Sequence, residues 1–163
     1  MLTMRIKKLI VGVAVLAASG VAMAQSPEQL VEKYTPLLGN NADHAKVLVT
    51  GLRNGTPVVV KGRTPRAPSM DFTPPTGKMG FGNVDNALTL AERSLASWGI
   101  VTGTAQSGQR AVNLTDIQAV LMGDRTVSNP RGGLIQFPGI LILRSQGMGW
   151  GEIANHPQVN VKL

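Results

Sequence analysis

Glu152 and His156 stand four positions apart near the C-terminus, a spacing that brings two side chains onto one helix face. A carboxylate and an imidazole so placed have the chemistry for part of a metal site or for an acid–base pair. A metal site wants a third ligand and an acid–base pair wants a cleft, and the neighbouring residues announce neither. A frayed helix end before Pro157 accounts for the same spacing more simply. Asp43 and His44 are adjacent, so they point in different directions on a helix. Asp85 joins Glu152 and His156 as the residues that an enzyme acting on cell-envelope material would draw on. No serine lies in a nucleophile-elbow context. The chain has no cysteine, which removes thiolate chemistry and cysteine-ligated metals. The expectation is therefore no catalytic constellation, no metal site and no cofactor, with a non-enzymatic protein favoured over an enzyme.

Gly147, Gly149 and Gly151 form a G-x-G-x-G run that invites comparison with phosphate-binding loops. The dinucleotide fingerprint needs a strand before it and a βαβ unit around it, and a P-loop needs a following lysine and Ser/Thr pair. Here a helical stretch precedes the glycines and neither partner follows. A tight helix–helix connection fits better, with glycine supplying positive φ and close backbone approach. Residues 140–154 (ILILRSQGMGWGEIA) resemble a helix-turn-helix, with a leucine-rich helix, a glycine turn and an x-E-I-A second helix. Pro157 breaks that second helix within two turns, and it holds Glu152 with no basic residue to meet phosphates. The reading is an αα-corner, with nucleic acid an improbable partner.

The aromatic residues number six. Phe81 and Trp150 each sit between two glycines, in Met79-Gly80-Phe81-Gly82 and Met148-Gly149-Trp150-Gly151. Both are expected to act as wedges that drive a ring inward at a helix start, with the glycines relieving crowding. The alternative for Trp150 is a partly exposed contact residue. Trp98 falls on an apolar stripe, so core packing is its expected role. Lys61, Arg63 and Arg66, with Pro65 and Pro68 among them, form the densest basic cluster. It has no interleaved aromatics to stack on bases, so a solvated loop is favoured over a patch for nucleic acid or another anionic surface.

These residues require elements to carry them. Ser26, Pro27 and Gln29 read as N-cap, N1 and N3 of a capping box. Leu30, Val31, Tyr34, Leu37 and Leu38 form its apolar face, with Pro36 weakening the last turn and Gly39 stopping it. A second helix runs from Asn41 to Gly55 on Ala45, Leu48, Val49 and Leu52. Residues 56–61 and Met70–Phe72 suit a hairpin joined by the basic loop. The clearest helix carries Val84, Ala87, Leu88, Ala91, Leu95 and Trp98 on one stripe and ends at Gly99. Residues 102–110 read as a flexible polar loop. Thr115 with Gln118 suggests another capping box, with Ile117, Val120 and Leu121 inward and Gly123 as stop. Arg125–Val127 and Leu134–Phe137 flank Asn129-Pro130-Arg131-Gly132-Gly133, the signal for a second hairpin. Pro138 opens a further helix closed by Gly147. A short one follows from about Trp150 to Asn155, and Val159, Val161 and Leu163 alternate as an edge strand would. The fold class is α+β, a mostly helical single domain with two short β-hairpins.

The M-G-aromatic-G turns lie 69 positions apart, as do Leu52 and Leu121, while Thr56 and Thr126 lie 70 apart. Helix, hairpin, glycine-rich turn and helix are therefore expected to occur twice, as an internal duplication packed into one pseudo-symmetric domain.

At the N-terminus, Arg5, Lys7 and Lys8 precede the apolar run Leu9–Ala18, and Ala22-x-Ala24 follows as a cleavage signal. The run is short for a membrane span, which needs about 20 apolar residues. Residues 1–24 are thus read as a cleavable Sec-type signal peptide, and residues 25–163 as the mature domain in the periplasm or outside the cell. With no cysteine in an oxidising compartment, burial alone must hold the fold. The mature part keeps all nine acidic residues and a net charge of +4.

The mature chain also resembles small exported proteobacterial proteins of unknown function. The residues concerned are Gly51-Leu52-Arg53-Asn54-Gly55-Thr56, the helix start Met79 to Val84, and the terminal G-M-G-W-G-x-I-A stretch from Gly147 to Ala154. That resemblance implies export and no particular activity. The leading expectation is an exported interaction or structural module whose partner is an envelope protein or surface component.

Overall fold

The computed structural model describes residues 26–159 and 161. The segment read as a signal peptide lies outside them. Among the described residues there are six α-helices and three pairs of short strands, an α+β fold that is mostly helical.

The first helix, α1 (Pro27–Tyr34), opens on the expected capping box: Ser26 Oγ accepts from the Gln29 N–H, and Gln29 accepts from the Ser26 N–H. Pro36 cannot continue the α-helical ladder, so the chain tightens into a 3-10 turn over Pro36–Leu38, which Gly39 ends with φ at +67°. Helix α2 (Ala42–Asn54) is capped by the Asn41 side chain and closed by Gly55, again left-handed. Strands β1 (Val58–Val60) and β2 (Met70–Phe72) then pair antiparallel, Val59 opposite Asp71. Val58, Val60, Met70 and Phe72 face inward, the period-2 pattern of a half-buried hairpin.

Helix α3 (Phe81–Ser97) buries Val84, Ala87, Leu88, Ala91 and Leu95 as the stripe predicts. Trp98 does not join them and is 44% exposed. The helix ends at Ser97, and Trp98 at φ −96°, ψ 6° has left helical geometry, so the stripe no longer aims its side chain.

Residues 102–110 are more constrained than a flexible loop. Strands β3 (Ile100–Val101) and β4 (Arg110–Ala111) pair in parallel at its two ends, with Gly103 and Gly108 at positive φ between them. What holds the return is Arg110, described below.

Helix α4 (Leu114–Met122) starts on Asn113 rather than Thr115. Asn113 Oδ1 accepts from the Asp116 N–H, and Asp116 accepts from the Asn113 N–H. Asparagine is the stronger cap, and the aspartate three residues on closes the box. Gln118 is therefore not a capping residue. It is buried, its Oε1 accepting from the Asp71 N–H of β2 at 2.8 Å and its Nε2 donating to Asp124 at 2.6 Å. Leu114 and the run from Asp116 to Leu121 are all buried, so α4 is surrounded on every side.

After Gly123, β5 (Thr126–Ser128) and β6 (Leu134–Gln136) form the second antiparallel hairpin, Val127 opposite Ile135. Helix α5 (Ile140–Ser145) follows, then α6 (Trp150–Ala154). The final alternating valines do not make a strand among the described residues. Residues 156–159 turn, Val159 is buried, and the Val161 N–H donates to the Ala154 carbonyl. Leu163 lies outside the described residues.

All three strand pairs stay separate two-stranded sheets. A single apolar cluster spans the chain from Leu30 to Val159 and unites them. No helix among the described residues is long and apolar enough to cross a membrane.

Candidate functional site

The two M-G-aromatic-G turns meet in space. Gly80 and Gly149 cap α3 and α6 with nearly the same backbone, φ −67°, ψ 156° and φ −68°, ψ 154°. Phe81 and Trp150 are the first residues of those helices, and both are half-buried against the core. An arginine lies over each ring: Arg53 is 4.9 Å from the Phe81 centroid and Arg144 is 5.0 Å from that of Trp150. The Trp150 indole N–H donates to Asn83 Oδ1 at 2.9 Å, joining the start of α6 to the first turn of α3.

The flanking glycines play a smaller part than expected. Gly149 has an ordinary φ, and a Cβ there would meet Glu152 Oε2 at 3.1 Å. A Cβ at Gly80, Gly82 or Gly151 would enter open space. The left-handed residues lie just before the turns, at Gly77 with φ +65° and Gly147 with φ +92°. Crowding relief is instead needed at the helix ends. A Cβ on Gly55 would come 2.8 Å from the Lys78 nitrogen, and one on Gly123 would come 2.8 Å from the Phe137 oxygen. In each case a helix terminus is crossed closely by the chain leading out of the following hairpin.

A crevice of 440 Å³ opens between the turns, lined by Pro75, Thr76, Lys78, Asn83, Arg144 and Ser145 among others. Arg144 is held beside it by a 2.9 Å hydrogen bond from Nη1 to the Met148 carbonyl.

The residues considered for catalysis are committed elsewhere. Glu152 accepts from the Gly149 N–H at 2.6 Å and caps α6. His156 lies beyond the end of α6, where its Nδ1 accepts from the Gln158 N–H. The two therefore do not share a helix face. Asp85 accepts from the Tyr34 hydroxyl and from Lys33, each at 2.6 Å, and so fastens α1 to α3. Tyr34 is fully buried, and burial, reinforced by the bond to Asp85, pushes its hydroxyl far above the ordinary tyrosine range.

Two polar clamps were not foreseen from sequence. Arg110 makes a bidentate pair with Asp116, at 2.6 and 2.8 Å, and also donates to the carbonyls of Ser128 and Ala111. The hydrogen bond to Asp116 raises the Arg110 pKa further above its usual value. Asp124 receives Gln118 and Arg125. Burial pulls its carboxyl upward, but those hydrogen bonds outweigh it and leave the pKa below the usual value. Spacing alone identifies neither clamp, since the partners sit on different elements.

Lys61, Arg63 and Arg66 are all exposed in the turn between β1 and β2. Lys61 and Arg63 line a shallow hollow of 520 Å³ within that loop. Arg63 also faces the start of α2, beside Asn41 and His44.

A largely apolar concavity lies elsewhere, between α1 and α2. This groove of 530 Å³ is lined by Pro27, Val31, Pro36 and Ala42, with Glu32 and Lys46 supplying charge.

Comparison of the chain with protein-family models, curated proteins and solved structures finds no match.

Proposed function

We propose that the chain is an exported interaction module of the bacterial envelope, which receives an apolar segment of a partner protein in the groove between α1 and α2. The groove carries this reading. It is open, and Pro27, Val31, Pro36 and Ala42 line it together with the charged Glu28, Glu32 and Lys46. Export rests on the N-terminal sequence pattern. The alternatives are an enzyme of the envelope and a binder of anionic surfaces through Lys61, Arg63 and Arg66.

The test is a pull-down from an envelope fraction with the mature chain, run beside Val31→Arg. Val31 is only half-buried, so circular dichroism can establish that the variant folds. The expected result is one stoichiometric protein captured by the parent and lost with the variant. Equal capture by both overturns the groove as the contact, and recovery of glycan alone favours the enzyme.

A further inference from the structure

We propose that the crevice between the two aromatic turns is a binding site for a phosphate-type oxyanion. The argument is one of donors without acceptors. Lys78 and Arg144 both line the crevice, and no carboxylate lines it. Lys78 is exposed, and among the described residues its ammonium has no hydrogen-bond or ion-pair partner. Arg144 spends Nη1 on the Met148 carbonyl, which leaves the edge formed by Nε and Nη2 unclaimed. That edge is the fork that grips an oxyanion through two parallel hydrogen bonds.

Asn83 adds a third donor, and its orientation is fixed by chemistry. An indole N–H can only donate, so the Asn83 atom facing Trp150 must be its oxygen. The Asn83 amide NH2 is then left over, with no acceptor among the described residues. Three donor groups from three segments thus border one space: the loop before α3, α3 itself and α5. A planar carboxylate offers two oxygens in one plane, whereas a tetrahedral oxyanion can accept from all three directions. The site is also stiff on one side, because Arg144 is pinned by Met148 and by the Trp150 ring. A third cation, the Arg53 guanidinium over Phe81, adds positive potential nearby, and its Nε is buried without a partner. Glu152, the carboxylate of the adjoining turn, is occupied by the Gly149 N–H.

The Asn83–Trp150 hydrogen bond supplies a reporter. Inorganic phosphate is titrated into the mature chain at constant ionic strength, and the Trp150 indole and Asn83 amide resonances are followed in 1H–15N spectra. Saturable shifts of both are expected, with chloride at equal ionic strength producing none. Lys78→Ala, at an exposed position, should weaken binding about tenfold, the loss of one charge-assisted hydrogen bond. Arg144→Lys keeps the charge but loses the fork, and should weaken binding similarly. Vesicles with and without phosphatidylglycerol distinguish the source of the phosphate. Binding to anionic vesicles that free phosphate displaces identifies a lipid headgroup, and binding of free phosphate alone identifies a soluble ligand. No shift with phosphate, or a shift that Lys78→Ala leaves unchanged, overturns the proposal.

Discussion

Two side chains show how much of this fold rests on individual polar contacts. Asp116 is 3% exposed at its side chain and depends on Arg110 for its charge partner. Arg110→Ala leaves that carboxylate buried and unpaired and also frees the Ser128 carbonyl. The expected loss is about 3 kcal/mol, the lower end of the range for breaking a buried pair, because the guanidinium is partly solvated. Urea denaturation measures it. Tyr34 gives a pH signature. Its folded pKa is raised above the ordinary value of 10.0, so its contribution is whole below pH 10.0 and is lost as the pH climbs toward the folded value. Melting temperature should therefore fall above pH 10.0 in the parent, and fall less steeply in Tyr34→Phe. Equal slopes in the two proteins would show that the hydroxyl does not govern alkaline stability.

At the scale of elements, what was legible followed from local chemistry. Ser26 with Gln29, Asn41, Gly39, Gly55 and Gly123 all begin or end helices where the sequence indicates. The hairpins followed from alternation bounded by turn residues. What was missed depended on contacts distant in sequence. The parallel pair of β3 and β4 needs Arg110 to find Asp116 and Ser128, and no period encodes that. Trp98 was misplaced because a stripe predicts burial only while the helix continues. Of the candidate site, Phe81 and Trp150 were legible as a pair from their glycine flanks, whereas Asn83, Arg53 and Arg144 were not, since nothing local marks them as ring and indole partners. The proposed duplication draws support from the matching caps at Gly80 and Gly149 and the two arginine-covered rings. It must also accommodate α5, which intervenes between the second hairpin and its aromatic turn. The wedge role is tested by truncation. Trp150→Ala should cost about 2–3 kcal/mol, less than the 3–5 of a fully buried ring, and Phe81→Ala should cost nearly as much. If Trp150→Ala melts like the parent by circular dichroism, the ring is a contact residue instead.

For the whole molecule, the proposed route out of the cytoplasm has a direct check: N-terminal sequencing of exported protein should begin at Gln25. An uncleaved 1–24 segment in the membrane fraction would contradict it. Without cysteine, an exported chain would hold together by packing and polar contacts with no disulfide to help. This network has its centre at α4, whose Gln118 reaches back to β2 while Asp116, third in its capping box, holds Arg110 of β4. A helix buried on all sides cannot be uncovered by peeling away one neighbour without exposing the face that another neighbour needs. The two hairpin-bearing halves, though separate as sheets, consequently share one cooperative unit. Unfolding followed by backbone ellipticity and by tryptophan emission should trace superimposable curves, and the α4 amides should exchange with deuterium only through global opening. An observer pulling the chain from its two ends would record one rupture, however many times the motif recurs along it.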